Sequence, residues 1–259
     1  MKAGKKAFTL IELLVVIALI ALLLSVLTPV LKRAREAGKR AVCHQNTRTL
    51  AMAALNYCQE NDAVFPSCNA DSNGDTFKAW VKLVNYNGTV TLPTAAPFEL
   101  QWQSLRDGCL WPYVGAEKSY RCPVAAKTEM RTYSMFVSIN LGSNWLGPSV
   151  MKLSELRNAG SRGLFIDDYM DNWDADWTIY FSEPRWWNPV PMRHGKGTVL
   201  SFADGHSEWW DWEDPRTLEI SRLTWLEAET RRTTPLFEQR GNLDLLRSQR
   251  TTWGRVGYK

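Results

Sequence analysis

Nine residues separate His194 from Asp204-Gly205, and His206 follows at once. Two imidazoles and a carboxylate could ligate a divalent metal or act as an acid–base pair in a metal-dependent hydrolase. A nucleophilic triad would also need Ser or Cys beside a base, and the spacing offers none. The same residues have a structural reading. Asp-Gly between alternating residues is the strongest short hairpin signal, because a type I′ turn needs positive φ at both central positions. In that register Ala203 faces His206, Phe202 faces Ser207 and Leu200 faces Trp209. Phe202, Leu200 and Trp209 then share a core face, and Trp210 points away beside Val199. His194 stands before Gly195 and Gly197, hydrogen-bonded to a loop. The structural reading is preferred, so no catalytic residue is assigned.

Asp167, Asp168, Asp171, Asp174 and Asp176 form an acidic tract. Calcium takes 6–8 oxygen ligands, so Asp168, Asp171, Asp174 and Asp176 are its candidate ligands. EF-hand spacing and a closing Glu are missing, and a solvated acidic loop is the plainer reading, with no cofactor. There are five cysteines, Cys43, Cys58, Cys68, Cys109 and Cys122, and no C-x-x-C pair, which argues against a zinc ribbon. Cys43 and Cys58 cannot bridge on one helix, being about 22 Å apart at its rise. Cys58–Cys68 and Cys109–Cys122 are local options, an odd thiol such as Cys43 is left over, and all five could be buried thiols. Tryptophan is abundant, 13 in total, with Trp186-Trp187 and Trp209-Trp210-Trp212 in the C-terminal half. Tryptophan faces stack on sugars and dominate interfaces. Trp186, Trp187 and Trp210 are therefore candidates for a ligand surface, against a plain aromatic core.

One further carboxylate stands out by its surroundings. From Phe8 to Leu31 the only strongly polar side chain is Glu12. The run matches the roughly 20 apolar residues that span a bilayer as a helix. A carboxylate there costs roughly 2.5–3.5 kcal/mol on insertion scales and marks a function by default. A plain anchor has no use for it, but a subunit that must find a neighbour inside the membrane does. A secretory signal peptide has a shorter apolar core of about 7–15 residues and a small-residue site, which this run lacks before Pro29. An uncleaved signal anchor is the other plain alternative.

Lys5-Lys6-Ala7-Phe8-Thr9-Leu10-Ile11-Glu12 resembles the leader of type IV pilins and type II secretion pseudopilins. The resemblance implies that a prepilin peptidase cuts between Ala7 and Phe8 and methylates the new N-terminus. Ala7 stands where that family usually has Gly. It also implies that Glu12 pairs with the Phe8 amine of an adjacent subunit during assembly. Ala41, Cys43, Asn46, Arg48, Leu50 and Ala51 resemble the post-membrane helix of a pilin-like subgroup abundant in planctomycete-type bacteria. That subgroup also carries an H-x9-DG motif, matched here by His194 and Asp204-Gly205. Gly108–Tyr113 and Arg121-Cys122-Pro123 are further islands of similarity.

These features need a definite set of elements. Residues 1–7 form a leader, 8–31 a transmembrane helix half, 32–62 an amphipathic continuation and 63–259 an extracytoplasmic globular domain. Pro29 should bend or loosen the helix, and Phe65-Pro66 ends it. Asn69–Asp75 is read as an exposed loop. Strands are predicted at Thr132–Ser138, Gly163–Asp167, Thr178–Phe181, Thr198–Ala203 and Ser207–Trp212. A helix is predicted at Leu218–Thr230, with irregular surface chain beyond Thr233. The fold class is α+β, a long N-terminal helix packed on a small antiparallel sheet, in pilin-like fashion.

Of the net charge of +4, Lys2, Lys5 and Lys6 supply three positive charges, so the mature chain gives no support for nucleic-acid binding. Lys32, Arg33, Arg35, Lys39 and Arg40 could meet acidic lipid headgroups. The predicted function is a pilin-like, single-pass subunit of the bacterial inner membrane, not an enzyme. Its implied partners are the prepilin peptidase, other pilin or pseudopilin subunits and membrane lipid. The rivals are a tethered envelope module that binds polysaccharide through tryptophan, and the hydrolase built on His194, Asp204 and His206.

Overall fold

The computed structural model describes residues 9–70, 78–87, 89–90, 95–142, 146–168, 172 and 174–258. Helix α1 runs over Leu10–Glu60 and passes through Pro29 as one assigned helix. Two short strands follow, β1 (Asn85–Tyr86) and β2 (Thr89–Val90), then α2 (Phe98–Arg106) and α3 (Trp111–Val114). The main strands are β3 (Tyr133–Phe136), β4 (Gly163–Asp167), β5 (Asp176–Trp177), β6 (Gly197–Phe202) and β7 (Ser207–Asp211). Helices α4 (Pro215–Ile220), α5 (Trp225–Arg231) and α6 (Leu243–Trp253) end the chain. The chain divides into two units, Met1–Lys39 and Arg40–Lys259.

In the first unit every described side chain up to Gly38 is half-buried or exposed, including the leucines and valines from Leu10 to Leu31. This stretch of α1 is long and apolar enough to cross a membrane. Water would not tolerate so long an apolar surface bare.

The second unit is built around a five-stranded sheet in the order β5-β3-β4-β6-β7. All pairs are antiparallel except β3–β5, which is parallel. The α+β class is therefore as expected, with one parallel edge. β3, β4 and β6 are buried along their whole length, as strands covered on both faces must be. On one face lie the inward residues of α1, Cys43, Asn46, Thr47, Leu50, Ala51, Ala54, Tyr57 and Cys58, spaced three and four apart as a helical stripe requires. Asn46 Nδ2 donates to the carbonyls of Lys118 (3.2 Å) and Arg121 (3.0 Å). On the other face lies α6, whose Thr252 carbonyl accepts from Ser138 Oγ and Arg162 Nη2.

Several expectations need correction. The chain beyond Thr233 is not irregular surface, because α6 buries Leu245, Ser248, Gln249, Thr252 and Trp253. Helix Leu218–Thr230 is two helices, interrupted before Thr224, which caps α5 through a reciprocal pair with Glu227. Strand Thr178–Phe181 falls instead at Asp176–Trp177. Residues 71–77 lie outside the described residues, but neighbouring Ala70 and Trp80 are buried. Gly108 lies so close to Trp80 that a Cβ would stand 2.2 Å from its carbonyl oxygen.

The hairpin at Asp204-Gly205 exists, one position out of the predicted register. Ser201 pairs with Ser207, Leu200 with Glu208, Val199 with Trp209 and Thr198 with Trp210. The loop has three residues, not two. Gly205 N donates to Phe202 O, and Phe202 N to His206 O, each at 2.9 Å. Only Gly205 takes positive φ, at 89°, which is the three-residue loop with glycine at the left-handed position. Asp204 Oδ1 accepts from His206 N at 3.1 Å and holds the turn.

Candidate functional site

The N-terminal site begins at Thr9, where α1 opens. Thr9 and Glu12 form a capping box. Glu12 Oε2 accepts from Thr9 N at 2.9 Å and Thr9 Oγ1 at 2.8 Å, and Glu12 N donates to Thr9 Oγ1 at 3.2 Å. The first turn of the helix thus uses Glu12 to satisfy its own amides. Both side chains are exposed, ahead of the apolar surface that runs to Leu31. Ala7 and Phe8 lie outside the described residues. Residues 2–28 match the family described as the Prokaryotic N-terminal methylation motif. The N-terminus is of the prepilin type. The match supports a type IV pilin- or pseudopilin-like substrate of prepilin peptidase, a structural subunit rather than an enzyme. Together with the apolar stretch it is consistent with anchoring in the inner membrane. No curated protein and no solved structure is significantly similar to the chain.

Behind this prepilin-type segment, the second unit contains a cluster the sequence did not reveal. Cys43, Cys122, Asp167 and His194 are buried together, with their donor atoms all within 4.8 Å of one another. His194 Nε2 is 3.0 Å from Cys43 Sγ, 3.3 Å from Cys122 Sγ and 3.7 Å from Asp167 Oδ2. The two sulfurs are 3.0 Å apart, and Cys43 Sγ is 3.7 Å from Asp167 Oδ2. Each of the four residues comes from a different segment: the inward stripe of α1, the turn after α3, the end of β4 and the loop before β6.

A surrounding layer supports these groups. Tyr133 Oη donates to Cys43 Sγ at 3.2 Å. Arg193 Nε lies 3.3 Å from Asp167 Oδ1, and Arg193 pairs with both oxygens of Glu129, at 2.6 and 3.0 Å. Burial, and then the neighbouring Cys122, push the Asp167 carboxyl well above the usual range, against the pull of Arg193. The Cys122 thiol is raised by its hydrogen bond with Cys43 and by burial.

The His194 imidazole therefore sits among thiols and a carboxylate, while its backbone N donates to Gly197 O at 3.3 Å, the loop contact expected. It does not converge with Asp204 and His206. The six-residue β6 separates it from the turn, a span of about 20 Å at strand rise. Asp204 and His206 pair with each other at the hairpin tip, Nδ1 to Oδ1, at 2.5 Å. This geometry provides no hydrolase site from the three residues.

The acidic tract is not a solvated loop where it is described. Asp168 and Asp176 are buried. Asn172 Nδ2 donates to Asp168 at 3.1 Å, and Asn69 Nδ2 to Asp176 at 3.2 Å. Burial lowers the neighbouring Arg131 guanidinium to about 10, opposed in part by the charges of Asp168, Asp174 and Asp176. Asp171 lies outside the described residues.

Trp186 and Trp210 are buried and cannot present a face to a glycan. Trp186 Nε1 donates to Gln239 Oε1 at 3.1 Å. Trp187 is half-buried, with the Arg232 guanidinium 4.1 Å from its ring and Tyr180 at 5.1 Å. The exposed aromatic surface expected for sugar stacking is thus mostly interior.

The cysteine pairs expected from spacing are not formed. All five cysteines are free thiols, four of them buried and Cys109 half-buried. Cys43, expected to stay unpaired, lies with its Sγ 3.0 Å from that of Cys122, and Cys109 meets the Lys78 carbonyl at 3.5 Å. Sequence order could not bring Cys43 and His194 together, because the contact needs α1 laid against the end of the β4–β6 pair.

Proposed function

We propose that this protein is a pilin-like subunit, inserted in the inner membrane by the apolar part of α1, cleaved before Phe8 and N-methylated there. It then joins a type IV pilus or a type II secretion pseudopilus, with residues 63–259 on the outer side. The observation that carries this reading is the match of residues 2–28 to the methylation motif, which takes in most of the exposed apolar stretch of α1 from Leu10 to Leu31. Lys32, Arg33 and Arg35 follow that stretch and suit acidic headgroups. Glu12 is the group that a neighbour's new amine would meet. Burying its charge is tolerable only with an opposite charge beside it.

The test is to express the full chain in a membrane with and without active prepilin peptidase. The chain should lose its leader only when the peptidase is active. A chain of unchanged length in both, or one shortened equally in both, would contradict the proposal.

A further inference from the structure

We propose that Cys43, Cys122, Asp167 and His194 form a closed four-ligand site for a zinc ion. The donor set is two thiols, one imidazole and one carboxylate, the nitrogen–sulfur chemistry that zinc takes in structural sites. Thiolates select against calcium and magnesium, which prefer oxygen alone. Tetrahedral zinc with bonds of about 2.0–2.3 Å needs ligand atoms about 3.3–3.8 Å apart. Five of the six pairs run from 3.0 to 3.7 Å and all lie within 4.8 Å, so the two sulfurs, at 3.0 Å, need open by only a fraction of an ångström.

Burial strengthens the argument. All four residues are at most 4% exposed, and the protein supplies every corner. Nothing is left open for a substrate, which marks a structural and not a catalytic ion. Two thiolates and Asp167 would outweigh zinc by one negative charge, and Arg193, shared between Asp167 and Glu129, offsets it in part. Tyr133 donating to Cys43 and Arg193 holding Asp167 are the outer partners that orient such ligands.

The ion would join four segments far apart in sequence. Cys43 belongs to α1, Cys122 to the turn before β3, Asp167 to β4 and His194 to the loop before β6. A bond network at that point fastens the Arg40–Glu60 part of α1 to the sheet. This site is independent of how the N-terminus is processed.

The experiment uses the full chain in detergent, with thiols reduced, titrated with cobalt(II) as a spectroscopic stand-in for zinc. The expected result is saturation at one ion per chain, with tetrahedral d–d bands and sulfur-to-cobalt charge transfer that zinc abolishes. Cys122→Ser should remove about half of the charge-transfer intensity, and His194→Ala should weaken binding at least tenfold. Cys109→Ser, outside the cluster, should change neither. Should the cluster variants fail to fold, X-ray absorption on the wild-type zinc form decides, with an expected shell of two sulfurs and two lighter atoms. The proposal is overturned by the absence of these bands in reduced protein, by a shell without sulfur, or by a Cys43–Cys122 disulfide in protein isolated from cells.

Discussion

Glu12 accepts hydrogen bonds from both the amide and the hydroxyl of Thr9, at 2.9 and 2.8 Å. The carboxylate proposed for assembly is therefore also the cap of the helix that carries it. The two roles separate by substitution. Glu12→Gln keeps an oxygen for Thr9 but has no charge for a neighbour's Phe8 amine, whereas Glu12→Ala loses both. Both variants should insert and lose their leader, and neither should enter filaments. Wild-type incorporation of Glu12→Gln, measured by immunoblot of the assembled fraction, would remove the charge-pairing mechanism.

Trp209 and Trp210 point to opposite faces of β7. The Arg40 guanidinium lies 4.7 Å from the Trp209 ring, and that of Arg247 lies 3.8 Å from Trp210. Trp210 Nε1 also donates to Glu208 Oε2 at 2.7 Å. Trp210 is the more buried of the two, so Trp210→Ala should cost about 3–5 kcal/mol as a core truncation. Trp209→Ala should cost less. Urea unfolding of the two variants compares them, and a larger loss for Trp209 would contradict the register.

Gly205 closes the hairpin at φ 89°, and a Cβ there would stand 2.9 Å from Met52 Sδ. Valine at this position combines left-handed strain with that contact. Gly205→Val should destabilise by about 1–3 kcal/mol, read from the same unfolding curves. Wild-type stability would mean that the turn does not need a left-handed residue.

Burial raises the Asp176 carboxyl from 3.8 to about 6, in part opposed by its hydrogen bonds from Thr178 and Asn69. The folded chain then holds this proton more firmly than the unfolded one. Between about pH 4 and 6 the native state binds more protons, so this group's contribution to stability falls as pH rises. Asp176→Asn should flatten that decline in a series of unfolding curves over the same range. A variant with an unchanged pH slope would show that Asp176 does not titrate in this window.

The N-terminal helix, the strand at Gly163–Asp167 and the Asp204-Gly205 turn were legible because each depends on local pattern. The apolar run fixes a helix by itself, and Asp-Gly marks a reversal by itself. What failed depended on partners far along the chain. With α6 unrecognised, the sheet was given one covered face, so only one of Trp209 and Trp210 could be buried as core. The second face, under Arg247, follows from α6 alone. The cysteine cluster was hidden for a related reason. Cys43 and His194 are 151 positions apart, and local spacing favoured pairing Cys122 with Cys109. Arg131 likewise stood outside the acidic tract whose charges surround it.

The most direct measurement is the N-terminal sequence and intact mass of the chain purified from its native membrane. The account predicts a mature chain that begins at Phe8 and carries one N-methyl group. A chain that begins at Met1, or one cut after Leu27, would contradict it.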